Sequence, residues 1–195
     1  MNSVYVPSTT GWISFSLCFF GWAVFELVVN LRLWNADSKN HDRLSRYLII
    51  AAVLAAFSLA VLATRLHAFD LRLFRPQVFY WGLTLMLTGL GFRWVAIRQL
   101  GRFFIPEVAI QPGHRIMDQG LYHFIRHPSY TGTFITIVGY GLALTNWLSL
   151  AVMLLGSGVA YAYRIRLEEA ALLEAFGDEY RAYMRRTKRL IPFVW

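Results

Sequence analysis

The sequence predicts an all-α integral membrane protein with about five transmembrane helices, and three observations carry that expectation. Hydrophobic residues make up 57% of the chain and charged residues only 15%, whereas soluble domains carry about a quarter charged residues. The charges are grouped, leaving apolar runs long enough to cross a hydrocarbon core. Residues 127–163 contain no Lys, Arg, Asp or Glu, and as one helix they would reach about 55 Å against about 30 Å of hydrocarbon, so this run must fold back. The net charge of +8 sits between apolar runs and in the tail, as in cytoplasmic loops, and so points away from nucleic acid as a partner. The single cysteine, Cys18, lies in an apolar run and excludes intrachain disulfides and Cys-rich metal sites.

In chain order, residues 1–10 are uncharged, and the run at 11–33 has neither a basic segment before it nor a small-residue cleavage site. It reads as a retained span. Glu26 lies inside it, and an acid at membrane depth requires a partner or a water-filled cavity. A loop with Lys39, Arg43 and Arg46 leads to the second run, 47–64; a second loop, with Arg65, His67, Asp70, Arg72 and Arg75, ends at Pro76. The third run, 77–97, is interrupted by Arg93, which is expected to snorkel toward the surface. Residues 98–126 are punctuated by Gly101, Pro106, Pro112, Gly113 and Gly120 and read as a structured loop.

The charge-free run then forms a helical hairpin turning at Asn146 and Trp147, whose open ends return to one side and bring Arg126 and His127 beside Arg164 and Glu168. Fifteen basic residues fall on that side and three, Arg65, Arg72 and Arg75, on the other. The N-terminus is therefore expected outside and the C-terminus in the cytoplasm. In the tail, Leu172, Leu173, Phe176, Tyr180 and Met184 form one apolar face; a helix lying along the membrane surface and roofing the site is expected, with a break and new N-cap at Gly177 and Asp178.

Chemistry concentrates at the start of the hairpin. Pro128 suits a first helical position, and the residue before it, His127, is pushed out of the α region and presented. The N–H groups of Ser129 to Thr131 form a helix N-terminus that attracts anions; the alternative is that Arg126 and His127 are interfacial anchors. Arg164 and Glu168 share a helix face, with Tyr161 one turn earlier, as either a salt bridge or one wall of a pocket. Together with His127, Tyr130, His114 and Tyr122 they make a pocket suited to a zwitterionic or cationic ligand. His114, His123 and His127 lack ligand spacing, so no metal is expected. Gly89-Leu-Gly91 and Gly139-Tyr-Gly141 lack the third glycine of a nucleotide fingerprint and read as helix packing.

An ordered set of motifs carries a resemblance over residues 100–195: Gly113-His-Arg-Ile-Met117, Gly120-Leu-Tyr122, Arg126-His-Pro-Ser-Tyr-Thr-Gly132, Arg164 with Glu168 and Glu169, and Phe176-Gly-Asp-Glu-Tyr180 through Thr187 to Ile191 and Pro192. The set resembles the membrane isoprenylcysteine carboxyl methyltransferase family and its phospholipid methyltransferase relatives. The resemblance implies S-adenosylmethionine as methyl donor, held without a Rossmann domain by His114, Arg115, Ile116, Met117, Tyr122, His127, Pro128, Ser129, Tyr130 and Glu168. It implies Arg164 at the substrate and reaction centre, with Glu168 as the other catalytic residue. One membrane domain over 1–195 is expected, with three spans in 1–98 and the cofactor-binding loop, hairpin and C-terminal helix in 99–195.

The expected reaction is O-methylation of an isoprenylcysteine-type carboxylate, with an amphiphilic or prenylated substrate and membrane lipid as partners. Phospholipid N-methylation is the second reading, and it needs a proton acceptor such as Glu169 or Tyr130. Membrane sterol reductases, which use NADPH, look similar over an Arg-His-Pro region, but no 2′-phosphate site is evident here. A transporter or scaffold would place polar residues through the span centres, whereas apart from Glu26 they gather at one surface.

Overall fold

A computed structural model of the chain describes residues 8–32, 43–104 and 116–191. They form five helices: α1 (Thr9–Arg32), α2 (Arg43–Ala63), α3 (Arg75–Leu100), α4 (Pro128–Ala143) and α5 (Trp147–Arg186). Short 3-10 turns occupy His67–Phe69, Gly101–Phe103 and Gly120–His123, so the loop expected from residue 98 is structured at both described ends. His114 and Arg115 lie outside the described residues, as does Lys39. Among the described residues the only β pairing is isolated, Asp70 with Asn146 and Ile125 with Lys188.

The α3 and α4 helices make the most extensive pairing, and small residues are the reason. A Cβ on Gly82 would lie 2.5 Å from Ala143 N, on Gly89 2.5 Å from Thr136 N, on Gly132 2.6 Å from Arg93 N, and on Gly139 2.5 Å from Met86 N. Backbone therefore meets backbone along the whole contact, the form helix association takes where no hydrophobic drive exists. Gly89 and Gly139 thus serve the packing expected of them; Gly141 faces Leu150, and a Cβ on Gly91 would meet nothing. The α2 helix packs on α5, with Gly156 facing Ala56 and the Ser149 hydroxyl donating to the Ala60 carbonyl at 2.6 Å. The α1 helix joins by rings: Trp22 stacks on Phe57 at 4.8 Å, and Phe15 and Phe19 each lie 5.7 Å from Tyr140.

The hairpin turns where expected. Asn146 caps α5 by accepting from Ser149 N at 3.0 Å, and Thr145 takes a φ of 49° to reverse the chain. The α1 segment Thr9–Val29 and α5 are long and apolar enough to cross a membrane by length and composition. Trp12, Leu17, Phe20, Leu27, Leu155 and Val159 project from them exposed, an apolar exterior that hydrocarbon rather than water accommodates.

One expectation is corrected. Arg93 does not snorkel: it is 8% exposed, because Glu26 of α1 pairs with it, Arg93 Nη2 to Glu26 Oε2 at 3.0 Å and Nε to Oε1 at 2.8 Å. The same contact answers what Glu26 needed at depth. In the tail, α5 continues out of its charge-free stretch as far as Phe176. At Gly177 the backbone takes φ 49° and ψ −118°, a conformation glycine tolerates, so the helix breaks at the expected position and a second helical segment follows across the kink. The expected apolar face survives: Leu172, Leu173, Phe176 and Met184 are half-buried, and Tyr180 is buried.

Candidate active site

The loop entering α4 is held by the tail. Arg126 N donates to the Lys188 carbonyl at 2.7 Å, His127 N to the Arg189 carbonyl at 3.1 Å, and Lys188 N to the Phe124 carbonyl at 3.1 Å. The Thr131 hydroxyl donates to the Leu190 carbonyl at 2.7 Å. His127 itself has φ −124° and ψ 57°, outside the helical region as a residue before proline should be.

Glu169 locks this arrangement. It accepts from Arg126 Nε at 2.9 Å and from Arg189 Nε at 3.0 Å, while Arg126 Nη1 also donates to the Met184 carbonyl at 3.2 Å. Glu169 lies beyond the charge-free stretch of α5 that ends at Tyr163. Burial pushes its carboxyl up, but the nearby His127 ring and the hydrogen bonds from Arg189 and Arg126 outweigh that and hold it at about 2. A carboxylate so firmly ionised is a poor proton acceptor, which corrects the expectation that Glu169 is available as a base.

Glu168, the neighbouring acid, has a different setting. Its side chain is 35% exposed, Oε2 accepts from the Tyr130 hydroxyl at 3.0 Å, and His127 Nδ1 lies 3.8 Å away. Arg164, 5% exposed, reaches the same Tyr130 hydroxyl. The Tyr130 ring lies 5.7 Å from His127 and 5.4 Å from Tyr161. His127 Nε2 is buried, 3.5 Å from Glu169 Oε1, long for a hydrogen bond.

Tyr122 forms the floor of the loop. Gly120 takes a φ of 59° to start its turn, Gln99 Oε1 accepts from Leu121 N at 2.9 Å, and the Tyr183 hydroxyl donates to the Tyr122 carbonyl at 2.6 Å. Burial, with the Glu168 charge beside it, pushes the Tyr122 phenol up, so it stays a protonated donor. Ile116 and Met117 are half-buried just before this turn, and Asp118 ties the segment to Arg186 at the end of α5.

The structure therefore brings together His127, Pro128, Ser129, Tyr130, Arg164 and Glu168, with Tyr122 near enough for Glu168 to act on its phenol. Sequence reading missed Glu169, Arg189, Tyr183 and Gln99 as supports, and Arg93 as the residue behind Ser129: Arg93 Nη1 donates to Ser129 Oγ and Thr133 Oγ1, each at 2.8 Å. The available signal was an acid and a base at depth in apolar runs, Glu26 with only Arg32 near the end of its run and Arg93 alone in its own.

Comparison with known proteins places this geometry in a family. Residues 82–174 match the model of the isoprenylcysteine carboxyl methyltransferase family, a segment running from α3 to beyond Glu168 and Glu169. A probable protein-S-isoprenylcysteine O-methyltransferase of Oryza sativa subsp. indica is 31% identical over 154 residues, covering 75% of this chain and 79% of that protein. The protein-S-isoprenylcysteine O-methyltransferase of Saccharomyces cerevisiae is 32% identical over 151 residues, covering 72% of this chain and 63% of that one. The fold is similar to that of a solved eukaryotic intramembrane Ras methyltransferase, isoprenylcysteine carboxyl methyltransferase, with a TM-score of 0.62 and 24% identity over 93% of this chain and 68% of that one. With the motifs that line the pocket inside the matched segment and most of a relative's length covered, the chain belongs to the isoprenylcysteine carboxyl methyltransferase family.

Proposed function

We propose that this protein transfers a methyl group from S-adenosylmethionine to the carboxylate of a prenylated cysteine or a close lipid analogue. The observation that carries the reading is Arg164: a buried guanidinium beside Tyr130 and Glu168, placed where the charge-free part of α5 ends. An amphiphile with its tail among the helices offers its head group there without leaving the bilayer.

The residues fit the donor. Glu168 supplies a half-open carboxylate for an ammonium or ribose hydroxyl, Tyr130 and Tyr161 supply ring faces for a sulfonium, and the start of α4 supplies N–H groups for a carboxylate. The Tyr180 hydroxyl is buried without a hydrogen-bond partner among the described residues, a donor in reserve near both glutamates. His127, Pro128, Ser129, Tyr130, Tyr122, Ile116 and Met117, with His114 and Arg115 of the preceding loop, are assigned to donor binding. When bound, S-adenosylmethionine supplies an electrophilic methyl on a sulfonium.

Arg164 holds and orients the acceptor carboxylate, which is already ionised, so the chain needs no base. The new C–O bond forms in line as the C–S bond breaks and its electron pair goes to sulfur; alignment accounts for much of the acceleration. Glu169, held ionised by two guanidiniums, disfavours the amine reading.

The whole chain is read as one membrane domain of five spans, with the N-terminus outside and the site cytoplasmic. Reporters at residues 1 and 195 should appear on opposite sides; the same side removes a span. The chemistry is tested with labelled donor and carboxylate and amine head groups on the same prenyl tail. Label released by mild base marks an ester and supports the proposal, whereas label only in the amine overturns it.

A further inference from the structure

Arg93 sits inside the apolar run of α3 and is nearly buried, its side chain 10% exposed and that of Glu26 22%. A charge at such depth is costly and marks function or a defined partner. One edge of the guanidinium faces the Glu26 carboxylate with two contacts, at 2.8 and 3.0 Å. The other edge faces the first turn of α4: Nη1 donates to Ser129 Oγ at 2.8 Å, to the Ser129 carbonyl at 3.3 Å and to Thr133 Oγ1 at 2.8 Å. The planar fork serves both edges at once, which a lysine ammonium does not. Gly132 faces Arg93 N so closely that a Cβ there would lie 2.6 Å away, so α4 touches α3 at this level. The remaining described contacts of α1 are largely ring packing, which fixes depth and rotation poorly.

We infer that Glu26 and Arg93 are positioning residues for the donor site. Their ion pair, drawn from α1 and α3, sets where the first turn of α4 stands, and with it His127, Ser129 and Tyr130. The effect passes through Arg93: Glu26 neutralises and aims the guanidinium, and the guanidinium holds Ser129 and Thr133. In its functional consequence the inference rests on the donor assignment proposed above.

Glu26→Gln alone leaves a buried unpaired charge and endangers folding. The deciding variant removes both charges, Glu26→Met with Arg93→Met, because replacing a buried pair by apolar residues is often neutral for stability. The second variant is Arg93→Lys. Both are assayed in micelles for thermal midpoint, S-adenosylmethionine Kd by calorimetry, kcat at saturating donor, and hydrogen exchange across residues 128–143. Expected are thermal midpoints near the parent, a Kd weakened at least about tenfold, kcat within about threefold, and faster exchange confined to residues 129–133. An unchanged Kd in the folded double variant overturns the inference. So does a loss of Kd, kcat and thermal midpoint together, which marks a merely structural pair. If the parent chain binds no S-adenosylmethionine, the proposed function fails, and exchange alone decides: faster exchange confined to 129–133 supports positioning, and unchanged or global exchange overturns it.

Discussion

At the end of the assembly where α2 gives way to α3, the Asp70 side chain is 9% exposed and meets Asn146 Nδ2 at 3.2 Å and Arg75 Nη2 at 3.4 Å. Arg75 Nε donates to Thr145 Oγ1 at 3.1 Å, and Leu71 N to the Thr145 carbonyl at 2.9 Å. At the opposite end Glu168 is 35% exposed, accepting from the Tyr130 hydroxyl with His127 Nδ1 3.8 Å away, while Glu169 beside it is 5% exposed and takes two guanidiniums. Asp70 and Glu169 are the same device at opposite ends: a buried acid that closes a helix-entering loop on itself. Glu168 is the exception, an acid left partly open beside a closed one. A polar cluster that saturates itself maintains the fold; one left partly open has capacity for the ligand proposed for it.

The sharpest break is Glu169→Gln. It strips Arg126 and Arg189 of their counter-charge, and removing one partner of a buried pair costs about 3–5 kcal/mol; chemical unfolding in micelles should show that loss. Its pH counterpart follows from the sign of the shift. The carboxyl is held at about 2 against 4.5 ordinarily, so its contribution is whole above 4.5 and fades as the pH falls from there through about 2. In Glu169→Gln the thermal midpoint should be correspondingly flatter over that acid window.

Next in size is Arg164→Ala, expected to lower kcat about a hundredfold by misplacing the acceptor while the thermal midpoint holds. Arg164→Lys should not rescue it, because the bidentate fork is gone; full turnover in either variant would make Arg164 a structural residue. Asn146→Ala removes the α5 cap and a buried amide, and about 2 kcal/mol of stability should go with it, with kcat/KM per folded molecule unchanged. The smallest effect separates the two neighbours: Glu168→Gln should weaken donor binding about tenfold, one hydrogen-bonded charge at a half-open site, with unfolding unmoved. If Glu168→Gln instead destabilises like Glu169→Gln, the contrast between the two acids collapses.

Much of this was legible in the chain because it follows from local pattern. The charge-free run over 127–163 dictated a fold-back, Asn146 offered the cap, and His127 before Pro128 announced a non-helical residue at a helix start, although the ring expected to be presented is buried, 4% exposed, because Glu169 and the tail close over it. Glu168 and Glu169 were distinguishable only by what faces them, since one residue of helix rotates a side chain by about 100°, and their partners Arg126 and Arg189 come from other segments. The Glu26 to Arg93 contact joins residues 67 apart, a separation to which no periodicity speaks. Arg93 read as a snorkelling residue because its sequence neighbours are apolar, and the partner that keeps it inside lies on another helix.

The glycine contacts between α3 and α4 carry one last consequence. Two helices whose backbones touch at Gly82, Gly89, Gly132 and Gly139 form a stiff gauge block, because sliding or rolling one past the other drives main chain into main chain. A member of the family adapted to a wider acceptor tail would therefore have little freedom to open space along this seam. Divergence in acceptor size should accumulate instead on α1, α2 and the near half of α5, where ring and methyl contacts can be re-cut without disturbing the mouth of the site.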